Sequence, residues 1–256
     1  MKRIFNLGTL LFLMGILVSA LCNFSRKDFA ITRPRPYPEF ILALNPAMAY
    51  VSGGLLIAAV AGFAIRRLRI LSLATIAGAI FVFATTRHVM LLWRDPINAF
   101  KSLWLIAAAL LLITGYRPYQ KYFRQVLFAN IIVAFVYFQY CGLAHFNYAE
   151  LVSSMIPAYI PLHTFFTYFT GLTLLLASVA LLIPGLRKLA ALLSAFQIGG
   201  WLLLLHLPRA FDAGGDEWIG VAETLSFTGI CLLYYCFFDR TEPENHFHQS
   251  SAKAVY

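Results

Sequence analysis

Eight apolar runs, each close to 20 residues, recur along this chain at roughly 4–22, 46–65, 70–92, 98–116, 126–143, 164–183, 189–207 and 219–238. A bilayer core about 30 Å thick needs about 20 helical residues to cross it. Run length alone therefore selects membrane-spanning helices. Eight such runs in 256 residues leave little chain for a soluble domain, the usual home of nucleotide sites. With 61% hydrophobic and 12% charged residues, the composition also lies outside the soluble globular range.

The second half of the chain repeats the first. Tyr50 to His88 aligns without a gap on Tyr168 to His206, a shift of 118 residues. Tyr50 meets Tyr168, Gly53 meets Gly171, Leu68-Arg69 meets Leu186-Arg187, and His88 meets His206. Apolar identities are cheap in so greasy a chain; the Tyr, Gly, Leu-Arg and His identities are not. One span earlier, Ala20-Leu21-Cys22-Asn23-Phe24 resembles Gly142-Leu143-Ala144-His145-Phe146. Each copy holds an even number of spans, so the copies share one orientation and a pseudo-twofold axis along the membrane normal is expected. The expected fold is all-α: a polytopic membrane protein with eight transmembrane helices as two parallel four-helix repeats. Residues 1–118 form the first unit, 119–240 the second, and 241–256 a polar cytoplasmic tail. The tail's His246 and His248 are read as incidental rather than as a metal site.

The net charge of +9 is explained by its distribution. With the N-terminus placed in the cytoplasm, Lys2, Arg3, Arg66, Arg67, Arg69, Arg117, Lys121, Arg124, Arg187, Lys188, Arg240 and Lys253 fall inside. Arg26, Lys27, Arg33, Arg35, Arg87, Arg94, Lys101 and Arg209 fall outside. The excess has the positive-inside sense and puts both termini in the cytoplasm of a bacterial cytoplasmic membrane. Basic inner loops held against anionic lipid account for the charge, and no nucleic-acid partner is expected.

Cys22, Cys141, Cys231 and Cys236 show no CxxC spacing. Cys231 and Cys236 read as buried apolar residues. Cys22 and Cys141 end spans on the outer side, where a disulfide is chemically permitted, but spans 1 and 5 need not be neighbours. Residues 1–22 have the outline of a secretory signal; the repeat instead makes them the first helix of a four-helix unit. Two outer loops stand out. Residues 25–45 carry the helix-breaking Arg33-Pro34-Arg35-Pro36. Residues 147–162 have no Lys or Arg, and Met155 to Pro161 is apolar enough to lie along the interface or dip into the bundle. Gly53, Gly54, Ala58, Ala59, Ala61 and Gly62 make a smooth face for close helix packing, which Gly171 begins to repeat in span 6.

The second unit resembles the DoxX-like family of small four-helix membrane proteins. The likeness runs through Gly142-Leu143-Ala144-His145-Phe146, then Ile156-Pro157-Ala158-Tyr159-Ile160-Pro161, then Gly171, then Leu182 to Ala191, about 70 residues in all. Unit one resembles the family only through the repeat: it has Asn23-Phe24 in place of His145-Phe146 and lacks the paired prolines. The family usually carries an acid shortly after the span-6 glycine, where this chain has Thr173 and Leu174. The resemblance implies a four-helix bundle per unit. It also implies a subunit or accessory factor of a quinone-linked or redox-stress system, with quinone as cofactor and a redox protein as partner.

Ionisable groups within membrane spans are costly and tend to be functional. Arg87, His88, His145, His206 and Glu223 gather near the outer ends of their spans. Across the axis His88 and His206 are expected at equivalent depths, with Glu223 pairing with Arg87 or a protonated His. Several readings compete: interfacial residues reaching the headgroups; a quinone- or proton-handling pocket with His as acid/base, Arg87 as oxygen donor and Glu223 as relay; and a solute or ion pathway between the units. Bis-His haem ligation has the right symmetry but no second shell to secure it. A small-solute permease and a non-catalytic scaffold remain the alternative functions.

Overall fold

The computed structural model describes residues 1–33, 37, 39–88, 95–116 and 118–241. Pro34, Arg35, Pro36, Trp93, Arg94, Arg117 and the tail from 242 with His246 and His248 lie outside the described residues. Among the described residues eight helices are long and apolar enough to cross a membrane, and the chain is a multi-pass membrane protein. In chain order the helices are α1 (Lys2–Arg26), short α2 (Glu39–Leu42), α3 (Asn45–Phe63), α4 (Arg69–Arg87), α5 (Pro96–Ile113), α6 (Phe123–Asn147), short α7 (Ala149–Met155), α8 (His163–Leu182), α9 (Pro184–Trp201), α10 (Leu207–Ala213) and α11 (Glu217–Thr241). A π turn, Leu202–His206, joins α9 to α10, so Pro184–Ala213 forms one span.

Local chemistry sets the boundaries. Proline opens α3, α5 and α9, where its missing N–H costs no helical hydrogen bond. The Asp95 carboxylate caps α5 by accepting from the Asn98 backbone N–H. The tight turns after α3 and α8 are copies of each other. Ile65 and Ile183 are both extended, and the Arg69 and Arg187 Nε–H groups donate to the Phe63 and Leu181 carbonyls at 3.2 and 3.0 Å. The repeat recurs at the opposite end. Phe24 packs on Tyr50 at 5.8 Å and Phe146 on Tyr168 at 5.5 Å. Each Phe lies where a side chain at Gly53 or Gly171 would collide with it, at 2.8 and 2.9 Å.

The spans pack as a closed sequence: α1 on α3, α3 on α4, α4 on α5, α5 on α6, α6 on α8, α8 on α9, α9 on α11, and α11 back on α1. The last link is the closest. A Cβ on Gly15 would stand 2.4 Å from the Ala222 carbonyl oxygen, and one on Gly229 would stand 2.5 Å from the Gly8 oxygen. Such approach lets dispersion act between backbones where lipid supplies no hydrophobic drive. In α11, 78% of the spanning window is buried, against 28–44% in the other spans, which makes it the central helix. Its Tyr234 hydroxyl accepts from Trp104 Nε1 of α5 at 2.8 Å and donates toward the Asn130 carbonyl of α6 at 2.9 Å. The Asn130 amide in turn donates to the Ala107 and Val126 carbonyls. Every polar member of this three-helix knot has a partner, the condition under which a buried network rigidifies instead of destabilising.

Candidate functional site

After α1 the chain does not leave the bundle. Phe29, Ala30, Ile31 and Thr32 are 0–2% exposed. A non-helical segment at this depth must have its backbone groups satisfied by protein, and side chains do so. Asn45 accepts from the Phe29 N–H and Asn23 from the Ala30 N–H, each at 2.9 Å. The Phe29 carbonyl accepts from the Tyr37 hydroxyl at 2.9 Å and from Arg87 Nη1 at 2.8 Å, and Ser19 donates to the Ile31 carbonyl. Arg87 also grips Asp28 with both Nη atoms, at 2.8 and 3.3 Å, with its guanidinium 4.0 Å above the Tyr37 ring.

Burial alone would raise the Asp28 carboxyl, but hydrogen bonds from Arg87 and Asn45 and the charges of Arg87 and Arg26 hold it below its ordinary 3.8. A depressed folded-state value stabilises the fold above the unfolded value, and that stability is lost as pH falls through the folded one. Wild-type protein is therefore expected to lose thermal stability below about pH 4. Asp28→Asn should lower the melting temperature at neutral pH and flatten that acid limb, measured by unfolding across a pH series in detergent. An acid limb identical to wild type would remove Asp28 from the account.

Beyond this plug lies a cavity of about 290 Å³ lined by α5, α6, α7, α8, α9 and α11. Aromatic groups make much of its wall: Tyr137, Phe138, Phe166, Trp201 and Phe227. Its polar groups include Lys101, His145, Thr170, Gln197, His206 and Glu223. Lys101 Nζ and Glu223 Oε2 form a buried ion pair at 2.7 Å, and Glu223 Oε1 accepts from the Arg33 backbone N–H at 2.8 Å. His145 Nδ1 lies 2.7 Å from the Cys141 carbonyl. A carbonyl only accepts, so Nδ1 carries a proton, and the neutral ring would have its lone pair on Nε2. His206 is held by the π turn. Pro208 has no N–H to offer the Leu204 carbonyl, which accepts instead from the Tyr159 hydroxyl. The buried His206 Nδ1 has no hydrogen-bond partner among the described residues. At the rim Glu217 receives Arg33 at 3.2 Å and Arg209 at 2.8 Å.

The structure divides the five residues singled out from sequence. His145, His206 and Glu223 line one cavity. Arg87 and His88 serve the plug instead. Two pairings require correction: Glu223 takes Lys101 rather than Arg87 or a His, and Arg87 takes Asp28. Bis-His haem ligation by His88 and His206 has no geometric support, because His88 is 1% exposed, with Nε2 3.4 Å from the Thr32 hydroxyl and its ring against Phe83. The apolar 155–161 stretch does turn inward: Ile156 and Ile160 are buried, and Met155 and Ile156 reach the cavity. Cys22 and Cys141 are free thiols.

Lys101, Asp28 and Arg33 were missed as site residues. The signal for Lys101 was present, because a lysine within the 98–116 run aligns on Glu223 at a shift of 122, the shift that carries Asn23 onto His145. The structure supports that register: Ser102 donates to the Asn98 carbonyl as Thr224 donates to that of Gly220.

These shifts show that the halves use equivalent positions differently. Cys141, His145, Trp201 and His206 line the cavity. Their counterparts Ser19, Asn23, Phe83 and His88 all touch the plug. In the first half the chain's own Phe29–Thr32 occupies what the second half leaves open.

Residues 133–213 are similar to a family described as Domain of unknown function (DUF8561). The match covers about a third of the chain and includes the α6, α8 and α9 walls of the cavity. No curated protein and no solved structure matches this chain.

Proposed function

We propose that this protein is a membrane component of a quinone-linked or redox-stress system, binding a polar-headed, ring-bearing ligand of the quinone type in the second-half cavity. The observation that carries the reading is the internal contrast: positions that grip an apolar insert in the first half surround an aromatic-walled cavity in the second. Lys101, His145 and His206 supply hydrogen-bonding groups to a carbonyl-bearing head. The Lys101–Glu223 pair also offers a place for a proton to be held beside it. The DoxX-like resemblance of the same half points the same way. On this reading the protein lies in the cytoplasmic membrane with both termini in the cytoplasm, the cavity faces the outer side, and a redox protein is its partner.

Purified protein should retain an ultraviolet-absorbing quinone that organic extraction releases. His206→Ala should reduce its retention about tenfold, as loss of one hydrogen bond to a buried group does. His88→Gln, on the plug side, should leave retention unchanged. Equal loss in both variants would mean that the cavity is not the site. Solute flux in vesicles that Glu223→Ala abolishes, with no retained chromophore, would favour a permease instead.

A further inference from the structure

The same cavity has a neighbour on the membrane side. A groove of about 610 Å³ runs between α8 and α9, lined by Leu176, Ala177, Leu193, Phe196 and Gly200 among others. It is almost wholly apolar, and several of its side chains are exposed on the surface of a span: Leu176 60%, Leu193 58% and Phe196 84%. Cavity and groove share four wall residues: Phe166, Thr170, Gln197 and Trp201. Those four form the partition, and it is lightly fastened. Trp201 Nε1 donates to the Thr170 hydroxyl at 3.2 Å, Gln197 donates to the Thr170 carbonyl at 3.4 Å, and Phe166 meets Trp201 edge to face at 6.0 Å. Trp201 ends α9 at the start of the π turn, where the regular hydrogen-bond ladder is interrupted.

We infer that the ligand is a single-chain amphiphile that enters sideways from the bilayer: its polar head passes the Trp201–Thr170 latch into the cavity while its hydrocarbon chain lies in the α8–α9 groove. This rests on the quinone-type reading of the cavity and deepens it by assigning a chain and a route. A polar chamber alone fits a head of any origin. A polar chamber that shares its wall with a lipid-facing apolar groove fits a molecule with both characters, presented at bilayer depth. The two volumes then act as one site, the groove contributing affinity in proportion to the chain length it covers.

Gly200 gives a clean test, because a Cβ there meets nothing within 4 Å. Gly200→Leu should fold normally, improve helix propensity, and fill the groove without touching the cavity. The probes are a benzoquinone with no chain and the same ring with a ten-carbon chain, titrated against protein in lipid nanodiscs by quenching of tryptophan fluorescence. The variant should bind the chain-bearing quinone at least about tenfold more weakly than wild type and the chain-free ring equally well. Comparison at fixed lipid cancels the partitioning of the probe. Equal binding of the chain-bearing quinone by both proteins overturns the groove and leaves the cavity reading intact. Failure of both quinones to bind wild type overturns both.

Discussion

Lys101→Met is expected to be among the most damaging single substitutions in this protein, lowering unfolding stability by about 3–5 kcal/mol. The Glu223 carboxylate would remain buried, 6% exposed, having lost its only cationic side-chain partner among the described residues. Desolvating an unpaired charge costs far more than its pairing returns, so the damage lies in what is left behind rather than in the bond removed. The double variant Lys101→Met/Glu223→Gln should therefore recover most of the loss: no net charge stays buried, and the carbonyl of the introduced amide can still accept from the Arg33 N–H. Exchanging the charges, Lys101→Glu with Glu223→Lys, should not recover it, because an ammonium group in place of the Glu223 carboxylate cannot accept from Arg33. Denaturant titration in mixed micelles reads all three. A Lys101→Met protein as stable as wild type would mean that water reaches the pair.

The second large effect belongs to the α1–α11 seam. Gly229→Leu should destabilise by more than the usual overpacking cost of about 1–3 kcal/mol, because its Cβ would lie 2.5–2.6 Å from the Gly8 oxygen and the Phe12 nitrogen. Those are backbone atoms, so no rotamer change relieves the contact; the helices must separate. Gly15→Val should do the same against the Ala222 carbonyl, 2.4 Å away. Gly54→Ala is the control: its Cβ meets nothing within 4 Å, and alanine favours the helix by about 1 kcal/mol. Equal melting of Gly229→Leu and Gly54→Ala in the same detergent would show the seam to be looser than described.

What sequence discloses here follows from what physics writes into it. The spans are legible because bilayer thickness sets a run length that each segment must meet alone. The repeat is legible where geometry demands a residue type: Gly53 and Gly171 under their phenylalanines, Arg69 and Arg187 fastening the short turns. The site is only half legible. His145, His206 and Glu223 reach one cavity, yet nothing local says that Lys101, a lysine near a span end, pairs with Glu223 of α11. Asp28 sits in a loop with no periodicity to betray its partner Arg87. The seam was hidden for a similar reason. Gly8, Gly15 and Gly229 form no motif in one helix, and the small-residue face that did form a motif, in α3, marks a different contact. Symmetry itself misled: the equivalence of His88 and His206 holds in register, but an insert in one copy gives the two rings different neighbours.

The closure of α11 onto α1 sets an order for biogenesis. Most neighbouring spans are also consecutive or nearly so in the chain, so they can dock soon after leaving the insertion machinery. The first helix is the exception, because the partner for its glycines, α11, is made only after the intervening spans. Until α11 is inserted, α1 presents Gly8 and Gly15 to lipid, and the most buried of these eight spans is the one that follows the other seven. Chains that lack α11 thus keep an open flank, and a quality-control protease that recognises unpartnered membrane helices would find it there.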